Sequence, residues 1–158
     1  MIRSGQIEPL GGGYYEPILA VIPPNDASGQ LKMMQEFWKA EAGKSPRGIW
    51  LTERIWEPSL TTLLADNGVE FTILDDEHFR AAGITDQFIL NYHLTERHGK
   101  TVGIFASDQT LRYYIPFKTP EDVIAHLIYL SEKFDGAAVV YGDDGEKFGM
   151  WPGTHEWV

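Results

Sequence analysis

Three stretches of the chain repeat apolar side chains at helical spacing. Residues 28–42 follow a Pro-Pro-Asn-Asp turn, residues 58–67 open with proline and stop before a glycine, and residues 119–134 begin with Thr-Pro-Glu-Asp. Proline or a capping threonine at the start, acids in the first turn and glycine after the last turn are helix boundary signals. The pattern therefore predicts helices over these three ranges.

Four short apolar runs lie between and around these segments. They occupy residues 48–53, 70–75, 101–106 and 136–141. Each run is nearly free of polar alternation, which is typical of strands buried on both faces of a sheet. Because the runs alternate with helices, we expect βαβ units in a mostly parallel sheet and an α/β fold class. With no repeat or linker in the sequence, a single domain over residues 1–158 is predicted.

Acidic residues collect where the predicted strands end. Glu53 ends the first strand, Asp75 and Asp76 end the second, and Asp143 and Asp144 follow the last. In α/β barrels and open parallel sheets, the C-terminal ends of the strands form the edge where ligands bind. The sequence therefore predicts a site built from carboxylates at this edge.

The composition argues against several classes of binding partner. The net charge of −10 argues against nucleic acid, because phosphate binding depends on Lys and Arg. No apolar run approaches the roughly 20 residues of a bilayer span, so a membrane partner is not expected either. The chain has no cysteine, which excludes disulfides and thiolate metal sites. Together with an N-terminus that lacks an apolar signal core, this predicts a cytoplasmic protein.

Glu53 stands in the segment Trp-Leu-Thr-Glu-Arg-Ile-Trp-Glu-Pro, residues 50–58. One interpretation is a structural ion pair with the adjacent Arg54 among core aromatic rings. The other is a carboxylate beside flat apolar faces, as a sugar ring needs for stacking and for attack at its anomeric carbon. Both interpretations stay open on the residues alone, and the pairing of aromatic rings with acids favours a carbohydrate ligand.

Asp143, Asp144 and Glu146 form a second acidic group. A glycosidase needs one carboxylate that stays ionised and one that holds a proton near neutral pH. Crowding by its two neighbours is expected to favour the protonated form of Asp144. A divalent-cation loop is the alternative, but the spacing does not match a calcium loop and Lys147 opposes a cation. We therefore predict no metal and no cofactor.

Other catalytic patterns find little support. His78 is the histidine closest to a strand-end acid cluster, and none of the five histidines has paired zinc-ligand spacing. There is no Gly-x-Ser-x-Gly elbow. The glycines at 11–13 lack the lysine of a phosphate-binding loop, and we expect them either to allow close backbone approach or to form a strained loop that presents Tyr14, Tyr15 and Glu16.

Five segments, in order, resemble motifs of glycoside hydrolase family 57, in particular its 4-α-glucanotransferase and α-amylase-like members. The similarity runs from about residue 8 to the last residue. The segments are Gly-Gly-Gly-Tyr-Tyr-Glu-Pro-Ile-Leu at 11–19, the Glu53 segment at 50–58, Asp-Asp-Glu-His-Phe at 75–79, Leu-Arg-Tyr-Tyr-Ile-Pro-Phe at 111–117 and Gly-Asp-Asp-Gly-Glu-Lys-Phe-Gly-Met-Trp-Pro-Gly-Thr at 142–154.

The resemblance implies a partial (β/α)7 barrel and a retaining enzyme that acts on α-1,4-linked glucans. Glu53 matches the family's nucleophile in its Glu-Arg-Val/Ile-Trp motif. Asp144 matches the general acid/base in its Asp-x-Glu-x-Phe-Gly motif. Four further residues match positions in the sugar-binding wall: Glu16, Trp50, Asp76 and His78. Retention would require the carboxyl groups of Glu53 and Asp144 to approach within about 5 to 5.5 Å.

The sequence also departs from the family pattern. The first motif, His-x-His-Gln-Pro, is missing, and so is the family's last motif. We therefore expect a piece of the catalytic barrel with weak or no activity, and an open sheet edge that favours self-association. Two alternatives follow: an inactive or carbohydrate-binding remnant, and a metal-dependent deacetylase on a related barrel, which a chelator would inactivate.

Overall fold

A computed structural model of the protein describes residues 1–155. The chain gathers into two compact units. The first unit comprises Met1–Leu74 with Tyr92–Phe105, and the second comprises Asp75–Asn91 with the described residues from Ala106 onward. Each has its own buried apolar side chains, among them Leu31 and Leu64 in the first unit and Phe79 and Leu111 in the second. The single domain predicted over 1–158 stays a prediction.

The three predicted helices are confirmed, with ends that shift by up to four residues. In chain order the α-helices of residues 1–155 are α1 (Pro24–Ala42), α2 (Leu60–Asp66), α3 (Asp76–Ala81), α4 (Asp86–Ile89), α5 (Gln109–Tyr114) and α6 (Pro120–Lys133). The boundary signals act as expected. Thr119 and Asp122 form a capping box at the start of α6. Gly43 ends α1 in the left-handed conformation, and its N–H donates to the Lys39 carbonyl.

The strands within residues 1–155 form a sheet with the order β1-β2-β4-β3. They are β1 (Gly48–Ile49), β2 (Phe71–Asp75), β3 (Tyr92–Arg97) and β4 (Lys100–Ser107). β1 and β2 are parallel, with Gly48 opposite Phe71. The middle residues of β2 and β4 are largely buried, so the apolar runs at 70–75 and 101–106 are confirmed as buried strands.

Two strand predictions were wrong in whole or in part. The run at 48–53 is a strand only as far as Ile49, because the chain turns into a 3₁₀ helix at Thr52–Arg54. The run at 136–141 is not a strand; Val140 makes one isolated parallel bridge to Ser107. Its backbone is tied to other segments instead, since the Ala138 N–H donates to the Leu90 carbonyl at 2.7 Å.

The hairpin formed by β3 and β4 was not predicted from the sequence. These strands are antiparallel, with Tyr92 opposite Phe105. His98 and Gly99 connect them with φ angles of 54° and 74°, as a two-residue hairpin turn requires. β3 is mostly exposed, so it lacks the continuous apolar run that indicated the other strands. The sheet therefore combines parallel pairing with one antiparallel hairpin. No helix within residues 1–155 has the length and apolar character needed to cross a membrane.

Gly48 yields a test of packing in the first unit. A Cβ added there would overlap the ring of Phe71, which packs edge-on against Phe105 with ring centroids 5.8 Å apart. We expect Gly48→Ala to lower the free energy of unfolding by about 1–3 kcal/mol, because the Phe71 ring would have to move to remove the overlap. Urea denaturation measures the change.

Gly29→Ala is the matched control. Gly29 lies inside α1, and a Cβ there meets open space. The free energy of unfolding of this variant should rise by about 0.5–1 kcal/mol, as expected for alanine replacing glycine in a helix. Equal stability of the Gly48 variant and the unmodified protein would contradict the packing argument.

Candidate active-site residues

A glycine segment runs beside β1 in the first unit. The Gly11 N–H donates to the Gly48 carbonyl at 2.9 Å, and the Trp50 N–H donates to the Gly11 carbonyl at 2.9 Å. A Cβ at Gly12 would lie 3.0 Å from the Trp50 carbonyl oxygen, tighter than ordinary contact. The predicted close backbone approach is confirmed. These backbone contacts hold the segment after the glycines next to the segment that follows β1.

A cavity of about 300 Å³ lies in this part of the first unit. Glu16 and Trp50, both predicted to bind sugar, line it together with Phe37 and Trp38 from α1. The rings of Phe37 and Trp38 meet edge to face with centroids 5.3 Å apart. The indole nitrogen of Trp38 is buried and has no hydrogen-bond partner within residues 1–155. Aromatic faces beside a carboxylate are suited to binding a sugar ring.

Glu53 lies in the 3₁₀ helix after β1, on a strained backbone. Its φ and ψ are 54° and 11°, and Arg54 follows with a φ of 53°. Left-handed conformations of non-glycine residues cost about 1–3 kcal/mol and cluster at functional sites. Arg54 is buried with its guanidinium 5.5 Å from the centre of the Trp50 ring, whereas Glu53 is exposed. The turn therefore directs the cation inward and leaves the Glu53 side chain accessible.

Asp143 is the centre of a buried charged network in the second unit. Its side chain is only 3% exposed. The Lys147 ammonium donates a hydrogen bond to Asp143 Oδ2, and Arg112 Nε lies 3.8 Å from Asp143 Oδ1. The Tyr141 hydroxyl donates to Oδ2 at 3.4 Å. Two cations therefore offset the charge of this carboxylate.

Tyr141 is affected by the same surroundings. Burial, and then the neighbouring Asp143 carboxylate, raise the pKa of the Tyr141 phenol to about 12. The phenol therefore keeps its proton at neutral pH and serves as a hydrogen-bond donor to Asp143.

Asp144 differs from Asp143 in its exposure. It is partly exposed and precedes the 3₁₀ helix Gly145–Lys147, and its backbone N–H donates to Asp143 Oδ1 at 3.0 Å. Of its two acidic neighbours, Asp143 faces Lys147 and Arg112, and Glu146 is exposed. Asp143 is a structural anchor, and Asp144 is the accessible carboxylate of the pair.

A metal loop at this position has no support from the geometry. The ammonium group of Lys147 binds the Asp143 carboxylate, where a cation would have to sit. Residues 1–155 contain no group of three His, Asp or Glu side chains arranged to hold a metal ion.

Asp76 and His78 both lie on α3 in the second unit. Asp76 is buried, pairs with Arg80 at 3.0 Å and lines a cavity of about 160 Å³. Asp108 and His126 line the same cavity and lie 3.1 Å apart. His78 is exposed. The residues that line this cavity do not include Asp144, and the sugar-binding roles of Asp76 and His78 stay predictions.

Several side chains of interest were not identified as site residues from the sequence. Trp38 lies within the predicted helix over residues 28–42, and it lines the cavity with Glu16 and Trp50. Lys147 was noted only as an obstacle to a metal, although its spacing of four residues from Asp143 signals the pair. Arg112 could not be found this way, because it lies 31 residues before Asp143 in the chain.

Comparison with known proteins identifies the family. The model of glycosyl hydrolase family 57 matches residues 1–158. An α-amylase of Pyrococcus furiosus is 41% identical over 158 residues, which is all of this chain and 24% of that protein. A 4-α-glucanotransferase of Thermococcus litoralis is 40% identical, again over all of this chain and 24% of that protein. The chain thus spans about a quarter of the length of these curated relatives.

A solved structure supports the same assignment. The crystal structure of the Thermococcus litoralis 4-α-glucanotransferase superposes with a TM-score of 0.91 and 39% identity, over 99% of this chain and 25% of that one. The predicted α/β class, as part of a larger barrel, is confirmed by this match. The chain belongs to glycosyl hydrolase family 57.

Proposed function

We propose that this chain carries the catalytic carboxylates of a retaining enzyme that acts on α-1,4-linked glucans. Glu53 is the nucleophile and Asp144 the general acid/base. The observation that carries the proposal is the exposed Glu53 carboxylate on a left-handed backbone, three residues after the cavity-lining Trp50. The α-amylase and 4-α-glucanotransferase relatives, aligned along the whole chain, support it.

The first step forms a covalent intermediate. The Glu53 carboxylate attacks the anomeric carbon as the bond to the glycosidic oxygen breaks, and Asp144 gives its proton to that leaving oxygen. The α-linked sugar becomes a β-linked glycosyl ester of Glu53. The exposure of Glu53 supports this role, since a nucleophile has to reach the sugar carbon.

The second step restores the enzyme. Asp144, now a carboxylate, removes a proton from an incoming hydroxyl, whose oxygen attacks the anomeric carbon as the ester bond to Glu53 breaks. The product again has the α configuration. Water as the acceptor gives hydrolysis, and the hydroxyl of a second glucan gives transfer.

Substrate binding is proposed for residues that line the cavity of the first unit and for two residues of α3 in the second unit. Trp50, with Phe37 and Trp38, offers aromatic surface in the cavity, and Glu16 offers an acceptor for sugar hydroxyls. Asp76 and His78 are retained as proposed binding residues from the motif match. A cytoplasmic location, the lack of a nucleic-acid partner and self-association stay predictions from the sequence.

Product analysis tests the reaction. Incubation with maltoheptaose followed by chromatography should give either shorter and longer chains, which indicates transfer, or shorter products alone, which indicates hydrolysis. Glu53→Gln keeps the size of the side chain but removes its charge, so turnover should fall at least about 1,000-fold, in line with the loss of other catalytic nucleophiles. Glu57→Gln, at an exposed glutamate in the same segment, should leave turnover unchanged. Persistent turnover in the Glu53 variant would reject the assignment.

Azide rescue separates the two roles by stereochemistry. With an aryl α-maltotrioside, Glu53→Ala plus azide should yield the β-glycosyl azide, because azide replaces the nucleophile in a single displacement. Asp144→Ala plus azide should yield the α-glycosyl azide, because azide replaces water in the second displacement. The anomeric proton coupling in NMR distinguishes the products. Exchanged configurations would mean that the roles of the two acids are exchanged.

Binding without turnover is the second candidate, and the aromatic cavity favours it. Calorimetric titration with maltoheptaose should then show binding that is lost in Trp50→Ala, while chromatography shows no product from the unmodified protein. Product formation that Glu53→Gln abolishes would exclude this alternative.

A further inference from the structure

Lys147 is buried in an unusual setting for a lysine. Its side chain is 5% exposed, and its ammonium lies 5.4 Å from the centre of the Phe117 ring and 5.9 Å from that of Trp151. Its Nζ donates to the Asp143 carboxylate and to the Arg112 carbonyl oxygen. Burial of a cation is costly unless it is paired, and here a carboxylate, a carbonyl and two ring faces supply the pairing.

The same carboxylate also accepts a hydrogen bond from the backbone of Asp144. Asp143 Oδ2 accepts from Lys147, while Asp143 Oδ1 accepts the Asp144 N–H at 3.0 Å. Asp143 therefore links a buried cation on one side to the amide of the next residue on the other. A change of the Asp143 χ1 angle that moved the carboxylate away would break both contacts at once.

We infer that Lys147 is a positioning residue for Asp144. Its ammonium holds Asp143 in one orientation, and Asp143 in turn fixes the peptide from which the Asp144 side chain projects. The inference rests on the proposed role of Asp144 as the acid/base. It extends that role to a residue that does not itself touch substrate.

The charge of Lys147 distinguishes a positioning role from simple packing. A methionine between Phe117 and Trp151 would fill the same space without desolvating a cation, and buried ion pairs are often no more stabilising than apolar replacements. If packing alone were required, an apolar side chain would suffice. A lysine here gives directional hydrogen bonds to Asp143 and to the Arg112 carbonyl, which an apolar side chain cannot make.

Amide hydrogen exchange tests the link without any need for turnover. In Lys147→Met, the Asp144 amide should exchange at least about 10-fold faster, while the Val102 and Ile104 amides of β4 stay within about twofold, because the loss is local. Lys147→Arg keeps the charge and should restore most of the protection. An unchanged exchange rate of the Asp144 amide in Lys147→Met would overturn the inference.

Lys133→Met is the matched control. Lys133 also lies over two aromatic rings, those of Tyr129 and Phe134, but it is exposed and does not contact Asp143. Lys133→Met should leave the exchange rate of the Asp144 amide unchanged. If Lys147→Met fails to fold, Asp143→Asn tests the same link with a side chain of equal size, and it too should accelerate exchange at Asp144.

Kinetics distinguish positioning from general stability. In Lys147→Met, kcat should fall about 100-fold, as a misplacement of about 1 Å can cause, with KM within twofold. Lys147→Arg should recover most of kcat. Full kcat in Lys147→Met would reject the positioning role while the proposed reaction stands. No turnover in the unmodified protein would reject the proposed reaction, and the amide measurement would still decide the link.

Discussion

A carboxylate removed from water has to be paired, and this requirement organises the second unit around Asp143. The side chain is almost fully buried, and Lys147, Arg112 and Tyr141 converge on it. The cost of burying its charge and that of Lys147 is offset by their mutual attraction and by hydrogen bonds to both. The arrangement joins α5, through Arg112, to the 3₁₀ helix that contains Lys147. It also leaves the neighbouring Asp144 free of that pairing.

The first unit presents Glu53 by a different means. Here the backbone carries the strain, with Glu53 and Arg54 both at positive φ, and the stacking of Arg54 on Trp50 helps to offset the cost. The glycines beside β1 contribute as well, because their lack of side chains lets the segment before Glu16 approach Trp50 closely. Close backbone contact and aromatic packing thus accompany an exposed carboxylate on the turn after β1.

Signals within a few residues of sequence were sufficient to predict the three longer helices but not to predict every strand. Thr119 predicts the start of α6 because a cap depends on residues within one turn. The run at 136–141 is apolar enough for a strand, but its partners are decided by distant segments, and only Val140 pairs. The motifs that name Glu53 and Asp144 as candidates are continuous stretches of sequence, whereas the convergence of Arg112 on Asp143, 31 residues away, depends on the fold.

The two proposed catalytic acids share one design feature. Glu53 is oriented by backbone conformation, and Asp144 by a hydrogen bond to its amide, so neither needs its own carboxyl oxygens to fix its position. This matters because a nucleophile or an acid/base has to keep those oxygens available for the anomeric carbon and the glycosidic oxygen. A carboxylate anchored through its own oxygens, as Asp143 is, would be unsuited to either role. On the proposed roles, the two consecutive aspartates at positions 143 and 144 divide anchoring from reaction between them.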